Sequence, residues 1–240
     1  MYQFYYINMN NSPIRNNHMI HLINKIRRSN TNCIFKRFEA FDNTKINQHI
    51  IDILKKNKYL SDDIPIYSIM KHKVKLSIYM THLLLWSTIL TEYKNISLNT
   101  RIHIPHYIVL EDDINIDQNI ELKLKSLQKY IPSDYDILFL GYGGRLLGKQ
   151  INEYITQPSP GQHQDTNHGL FAYIINPNSI DKLTNILLPI DSLYIKGNWQ
   201  STGSTIPHMD WKIRYFYNKE IKAYYLHHPF ITHMNKYDKV

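Results

Sequence analysis

Apolar residues occur along the chain in two patterns, short continuous runs and longer segments with helical spacing. The runs predict buried strands, because a strand that is covered on both faces is apolar almost throughout. Strands are predicted at 2–7, 33–41, 107–111, 136–140, 169–176 and 222–226. Helices are predicted at 14–28, 46–55, 67–93, 120–130, 177–188 and 209–218. This alternation favours an α/β fold with a mainly parallel central sheet flanked by helices.

Polar segments rich in Pro and Gly separate the later elements. Residues 148–168 contain Pro158, Pro160 and Gly161 and predict a mobile loop over the surface. A second loop is predicted at 197–207. Loops of this kind often close over a substrate.

The 240 residues are sufficient for one full core, and a single domain spanning 1–240 is expected. The only cysteine, Cys33, cannot form an intrachain disulfide. The first 30 residues do not follow the order of a secretory signal, and no apolar run reaches the roughly 18 residues of a membrane span. A soluble cytoplasmic protein is therefore the expectation.

The formal net charge of +8 favours an anionic partner, such as a nucleotide, a nucleic acid or a negatively charged glycolipid surface. The basic residues are scattered and form no aromatic platform, so nucleic acid is not predicted as a partner. Peripheral contact with a membrane remains consistent with the charge.

Three consecutive acids follow the apolar run that ends at Leu110. Glu111, Asp112 and Asp113 repel one another, and a divalent cation would offset that repulsion, since Mg²⁺ and Mn²⁺ prefer carboxylate oxygens. Ligands in open α/β sheets collect beyond the carboxyl ends of such strands. The alternative is a solvated acidic turn or a helix N-terminal cluster.

Several separate segments carry a resemblance to one family, in the family's order. They are Tyr6-Ile7-Asn8 with Arg15, Arg37-Phe38-Glu39-Ala40-Phe41-Asp42, Thr81 to Trp86, Leu110 to Ile114, Asp136 to Gly141, Gly169 to Ile175, and His208-Met209-Asp210. Together they resemble glycosyltransferase family 25, which contains lipooligosaccharide and collagen galactosyltransferases. The chain departs from the family pattern at Lys75 to Tyr79, where Gly-Glu-Ile-Gly-Cys is usual, and at Leu170, where Thr is usual.

The resemblance implies a GT-A type fold and an inverting transfer of galactose or glucose from a UDP-sugar to a hydroxyl of a glycan, glycolipid or collagen-like glycoprotein acceptor. Mn²⁺ or Mg²⁺ is the implied cofactor. Asp113 and Glu111 are expected as metal ligands, with Glu111 alternatively acting on the ribose. His233 or His228 is expected as a third ligand, which favours Mn²⁺.

The remaining site residues are assigned in the same way. Asp210 is expected as the general base, with Asp191 as the second candidate and a helix N-cap as the structural alternative for Asp210. Cofactor-binding roles are expected for Asn8, Arg15, His82, Glu111 and Asp112. For His82 the alternative is a buried histidine with its hydrogen bonds satisfied, and for Arg15 a solvated helix residue. Asp112 could instead point away and accept backbone hydrogen bonds.

Two other functions remain open at this stage. One is a catalytically inactive carbohydrate- or nucleotide-sugar-binding relic of the same fold, which would bind a UDP-sugar without turnover. The other is a metal-dependent nuclease or phosphodiesterase, which would use the same acids and ignore UDP.

Overall fold

A computed structural model describes residues 1–97, 105–159, 168–191, 206–217 and 219–234. The strands are β1 Tyr2–Asn8, β2 Cys33–Glu39, β3 His106–Leu110, β4 Ile114–Ile116, β5 Ile137–Phe139, β6 Gly148–Gln150, β7 Ile155–Pro158, β8 Ala172–Ile175, β9 Ala223–Leu226 and β10 Ile231–His233. The α-helices are α1 Pro13–Arg27, α2 Gln48–Lys56, α3 Ile66–Lys71, α4 Lys73–Ser97, α5 Ile120–Leu127, α6 Ile180–Leu187 and α7 Met209–Tyr215. Short 3₁₀ turns occur at Asn43–Lys45, Gln128–Tyr130 and Pro177–Ser179.

Eight strands form one central sheet in the order β2-β1-β3-β8-β5-β9-β7-β6. The pairs β1–β2, β1–β3 and β5–β9 are parallel, whereas β8 is antiparallel to both β3 and β5. All strands of this sheet run in one direction except β7 and β8. A second, two-stranded antiparallel sheet joins β4 to β10.

Helices cover both faces of the central sheet, which explains the apolar character of its inner strands. Along β1 the side chains alternate, so that Phe4 joins the core on one face and Tyr5 the core on the other. The Phe4 face is covered by α1 and α5. The Tyr5 face is covered by α2, α3, α4, α6 and α7. The predicted α/β class is confirmed, and the architecture is consistent with a GT-A type fold.

Several element predictions need correction. The segment predicted as a mobile loop at 148–168 contains the antiparallel strands β6 and β7, whose partner β9 buries Ile155 and Thr156. Residues 160–167 of that loop, and 197–205 of the second loop, lie outside the described residues. The long helix predicted at 67–93 is divided at His72 into α3 and α4. No helix within the described ranges is both long and apolar enough to cross a membrane.

Candidate metal and sugar-transfer site

The acidic segment lies at the carboxyl end of β3, between the central sheet and the small β4–β10 sheet. The Glu111 N–H donates to the Phe171 carbonyl at 2.8 Å, which continues the pairing of β3 with the β8 segment. Asp112 and Asp113 are both buried, and Ile114 begins β4. The acidic segment therefore continues β3 beyond its carboxyl end in a largely buried position, and it is not a solvated turn.

Strand pairing brings a histidine from the far end of the chain to these acids. His233 lies opposite Ile114 in the β10–β4 register, and the Met234 N–H donates to the Asp113 carbonyl at 2.9 Å. His233 Nδ1 lies 3.6 Å from Asp113 Oδ1. One ligand atom from each of Glu111, Asp113 and His233 lies within 4.8 Å of the other two. The structure thus brings together three of the four predicted metal ligands.

A glycine permits this close approach of β10. A Cβ on Gly141 would lie 2.5 Å from the Ile231 carbonyl oxygen and would overlap Cε2 of the Phe171 ring. The Phe171 ring also packs edge-on against His233, with ring centroids 4.4 Å apart. Any side chain at position 141 would therefore displace the strand or the ring that positions His233.

Asp112 faces a different set of partners. Its carboxylate accepts a hydrogen bond from Asn8 Nδ2 at 2.7 Å and one from Arg15 Nη1 at 2.9 Å. The Asn8 side chain in turn accepts from Arg37 Nε at 3.0 Å. Arg15 also lies 3.5 Å from Asp113, and nearly half of its side chain is exposed. Asn8 and Asp112 thus connect the end of β1 to the acidic turn, and Arg15 presents a guanidinium beside it.

The carboxyl group of Glu111 is a weaker acid in this environment than an ordinary glutamate. Loss of hydration, followed by the charges of Asp113, Asp112 and Asp210, raises the pKa of its carboxyl to about 8, against the opposing effect of Arg15. A bound divalent cation would act in the reverse direction and favour the ionised form. Two carboxylates and an imidazole are a donor set that suits Mn²⁺.

A cavity of about 150 Å³ lies next to the cluster. It is lined by Lys75, Ile78, Glu111, Gly169, Leu170, His208, Met209 and Asp210. The two predicted site acids Glu111 and Asp210 therefore face one space. Lys75, Ile78 and Leu170 fall within the two departures from the family pattern, so both departures contribute to the lining of this cavity.

Asp210 is held in the first turn of α7. The cap residue of this helix is His208, so Asp210 is not the N-cap, and its Oδ2 accepts from the Gly169 N–H at 3.0 Å. Gly169 has φ +96°, a conformation that L side chains rarely adopt. The N–H of Gly169, which precedes β8, therefore holds the Asp210 carboxylate beside the cavity.

Lys75 places a cation in the same cavity. Burial lowers the pKa of its ammonium, and the Asp210 carboxylate opposes that shift. Sequence reasoning did not assign Lys75, Gly169 or His208 to the site. The available signal was that Lys75 stands where the family usually has Gly, at the start of a segment that departs from the family pattern.

The second candidate for the base, Asp191, and the second candidate for the histidine ligand, His228, lie in different surroundings. Asp191 is buried with its Oδ2 3.7 Å from Nζ of Lys212, which also donates to the Leu187 and Pro189 carbonyls. Burial lowers the pKa of Lys212 to about 8, opposed by Asp191. His228 is exposed and packs against His227, outside the three-residue cluster. The geometry favours Asp210 over Asp191 as the base and His233 over His228 as the ligand.

His82 lies in the interior, with 1% of its surface exposed. Its Nδ1 and the Tyr173 hydroxyl are 2.8 Å apart, and Trp86 Nε1 donates to the same hydroxyl at 2.8 Å. His82 and Trp86 are one helical turn apart on α4, so that both reach β8. This arrangement favours the alternative of a buried, hydrogen-bonded histidine over nucleotide contact.

The burial of His82 predicts a pH-dependent stability. Burial lowers the pKa of His82 to about 3, whereas the unfolded chain takes up a proton near pH 6.5. The unfolded state therefore binds more protons between these values, and stability falls as the pH drops below 6.5. Between pH 7 and pH 5 the protonation of this histidine in the unfolded chain should lower the free energy of unfolding by about 2 kcal/mol.

Urea unfolding of wild type and of His82→Asn at both pH values measures this contribution. From pH 7 to pH 5 the free energy of unfolding of the variant should fall by about 2 kcal/mol less than that of wild type. Equal losses would mean that the pKa of His82 is not lowered by folding.

Comparison with known proteins identifies the family. The family model described as glycosyltransferase family 25 (LPS biosynthesis protein) matches residues 1–194, which include Glu111, Asp112 and Asp113. Asp210 and His233 follow the matched range. No curated protein matches the chain. Because the match spans most of the chain, including the acidic segment, the chain belongs to glycosyltransferase family 25, and this membership supports a role as a glycosyltransferase.

Proposed function

We propose that the protein is a metal-dependent, inverting glycosyltransferase that moves galactose or glucose from a UDP-sugar to a hydroxyl of a glycan, glycolipid or glycoprotein. The observation that carries the proposal is the convergence of Glu111, Asp113 and His233 beside a cavity that Asp210 also lines. Family membership supports a nucleotide-sugar donor and a glycan acceptor. The central sheet draws strands from residue 2 to residue 226, which supports one domain over 1–240.

In this proposal Glu111, Asp113 and His233 hold the cation. When bound, a divalent cation of this kind stabilises the negative charge that develops on the departing diphosphate. The guanidinium of Arg15 lies on the Asp112 and Asp113 side of the cluster and would add positive charge for the same diphosphate. Asn8 is held at the end of β1 by its hydrogen bonds with Asp112 and Arg37, and in this proposal it supports the acidic segment beside the donor.

Asp210 acts on the acceptor. Its carboxylate takes the proton from an acceptor hydroxyl as the hydroxyl oxygen forms a bond to the anomeric carbon of the donor sugar. The bond between that carbon and the diphosphate oxygen breaks, and the electron pair leaves with UDP. Attack on the face opposite to the leaving group inverts the anomeric configuration. The Gly169 N–H fixes one oxygen of Asp210, so the carboxylate is oriented before the acceptor binds.

The cavity between Asp210 and Glu111 is the acceptor site in this scheme. Its lining includes Lys75, Ile78 and Leu170, where the chain departs from the family pattern. A change of lining at these positions would change which acceptors fit, while the residues of the acidic segment that serve the donor are retained.

Calorimetry of UDP binding tests the donor part of the proposal. UDP should bind in the presence of Mn²⁺ and lose most of its affinity when a chelator removes the metal. GDP serves as the control for the base, and UMP serves as the control for the diphosphate. UDP affinity that is identical with Mn²⁺ and with chelator would contradict the metal dependence.

A further inference from the structure

An apolar stripe lies exposed on α3 and the first turns of α4. It consists of Ile66, Tyr67, Met70, Val74 and Ile78, with exposed fractions of 41, 75, 41, 56 and 43%. Fifteen large apolar side chains of the described residues are exposed, and these five fall between residues 66 and 78. Single exposed apolar residues are ordinary on protein surfaces, whereas a concentration of this kind marks an interaction surface.

Helical spacing places the exposed apolar residues of each helix on one side of that helix. Ile66 and Met70 are four residues apart in α3, and Val74 and Ile78 are four apart in α4. Other side chains of the same helices, including Ile69, Leu76 and Tyr79, fill the core. The fold therefore does not require the stripe to be apolar.

The charged residues within the segment that carries the stripe are all basic. Lys71, Lys73 and Lys75 lie within it in sequence, and residues 64–91 contain no Asp or Glu. Apolar side chains combined with lysines and no acids are typical of helices that lie on anionic membrane surfaces.

The stripe also leads to the cavity. Ile78 belongs to the stripe and lines the cavity, and Lys75 from the preceding turn does the same. A molecule that contacts the stripe would therefore adjoin the space that Asp210 and Glu111 face.

We propose that the apolar stripe docks on an anionic lipid surface and brings the cavity to a lipid-linked acceptor. The identity of the cavity as an acceptor site rests on the proposed function, whereas the docking itself does not. A second copy of the chain fits the stripe less well. In a two-fold pairing the stripe would face itself, and Lys71 and Lys73 would oppose the same lysines of the second copy. Anionic headgroups would instead complement them.

Vesicle co-sedimentation of the 240-residue chain tests the docking. Vesicles of phosphatidylcholine alone are compared with vesicles that contain about one-third phosphatidylglycerol. The protein should bind the anionic vesicles at least about tenfold more tightly, and this preference should weaken as salt is raised. Absence of binding, or equal binding to both vesicles, would overturn the proposal.

Paired variants separate the apolar and charged contributions. Met70→Ser with Val74→Ser, and Lys71→Gln with Lys73→Gln, should each weaken binding to anionic vesicles about tenfold. The matched control is Leu122→Ser, because Leu122 is 66% exposed on α5, which packs on the other face of the sheet. This control should bind vesicles as wild type does.

Two further outcomes would contradict lipid docking. If both paired variants bound vesicles as tightly as wild type does, the stripe would not be the surface that contacts the lipid. A dimer in light scattering that the Met70→Ser, Val74→Ser variant converts to monomer would assign the stripe to self-association. Vesicle binding requires no UDP-sugar, so a protein that docks but does not bind UDP would refute the proposed function and leave the docking intact.

Discussion

Replacing Asp113 by alanine is expected to lower Mn²⁺ affinity at least about 100-fold and to abolish Mn²⁺-dependent UDP binding. Asp113 offers one oxygen to the ligand cluster, and its carboxylate lies beside both His233 and Arg15. Glu111 and His233 alone would leave two protein donors, with less negative charge to hold a dication. Calorimetry with Mn²⁺, followed by UDP, measures both effects.

Asp117→Ala is the matched control for this variant. Asp117 is an acid on the same segment, and its carboxylate pairs with Lys123 Nζ at 2.6 Å, outside the cluster. It should bind Mn²⁺ and UDP as wild type does, and both variants should unfold cooperatively. Unchanged Mn²⁺ affinity in Asp113→Ala would contradict the metal assignment.

Asp210→Asn is expected to lower kcat for transfer by about 10² to 10⁴ while UDP-sugar affinity stays within about twofold of wild type. The amide oxygen can still accept the Gly169 N–H, so the side chain keeps its position and loses only its basicity. Steady-state kinetics with varied donor, combined with calorimetry, separate the two parameters.

Asp191→Asn distinguishes the two candidate bases. Because Asp191 lies in the interior next to Lys212, its replacement should lower the urea midpoint of unfolding and leave kcat close to wild type. If Asp210→Asn transferred at the wild-type rate and Asp191→Asn did not, the base would be Asp191.

The strand that ends in three acids could be predicted from the sequence because its signal is local. Four buried apolar residues precede Glu111, and both the site and its place at the carboxyl end of β3 follow from that pattern. The α/β class followed from alternating elements for the same reason. The family resemblance directed attention to Asp210 and His233, which lie far from the acids along the chain.

The pairings within the site were not visible in the sequence. Strands β4 and β10 have three residues each, too few for an alternation to stand out, yet their register brings His233 to Asp113. The environment of Asp191 depends on Lys212, which lies on α7, 21 residues further along the chain. Burial decides between the two interpretations of His82, and it follows from how α4 packs on β8.

The direction of the strands was also only partly predictable. Alternating strands and helices predict parallel crossovers, but β8 comes after the strands β6 and β7 in the chain and enters the sheet antiparallel between β3 and β5. The antiparallel direction of β8 determines which residues lie next to the acidic segment. The start of β8 lies beside the end of β3, so Gly169 and Phe171 can contact Asp210 and His233.

UDP release by the purified protein tests the central claim most directly. The assay follows a panel of UDP-hexoses with Mn²⁺, with Mg²⁺ and with chelator, and it requires no acceptor because water can replace it. The account predicts metal-dependent release of UDP from UDP-galactose or UDP-glucose. Tight UDP binding without release, even with glycan acceptors, would indicate a binding relic of the fold, and absence of both binding and release would contradict the account.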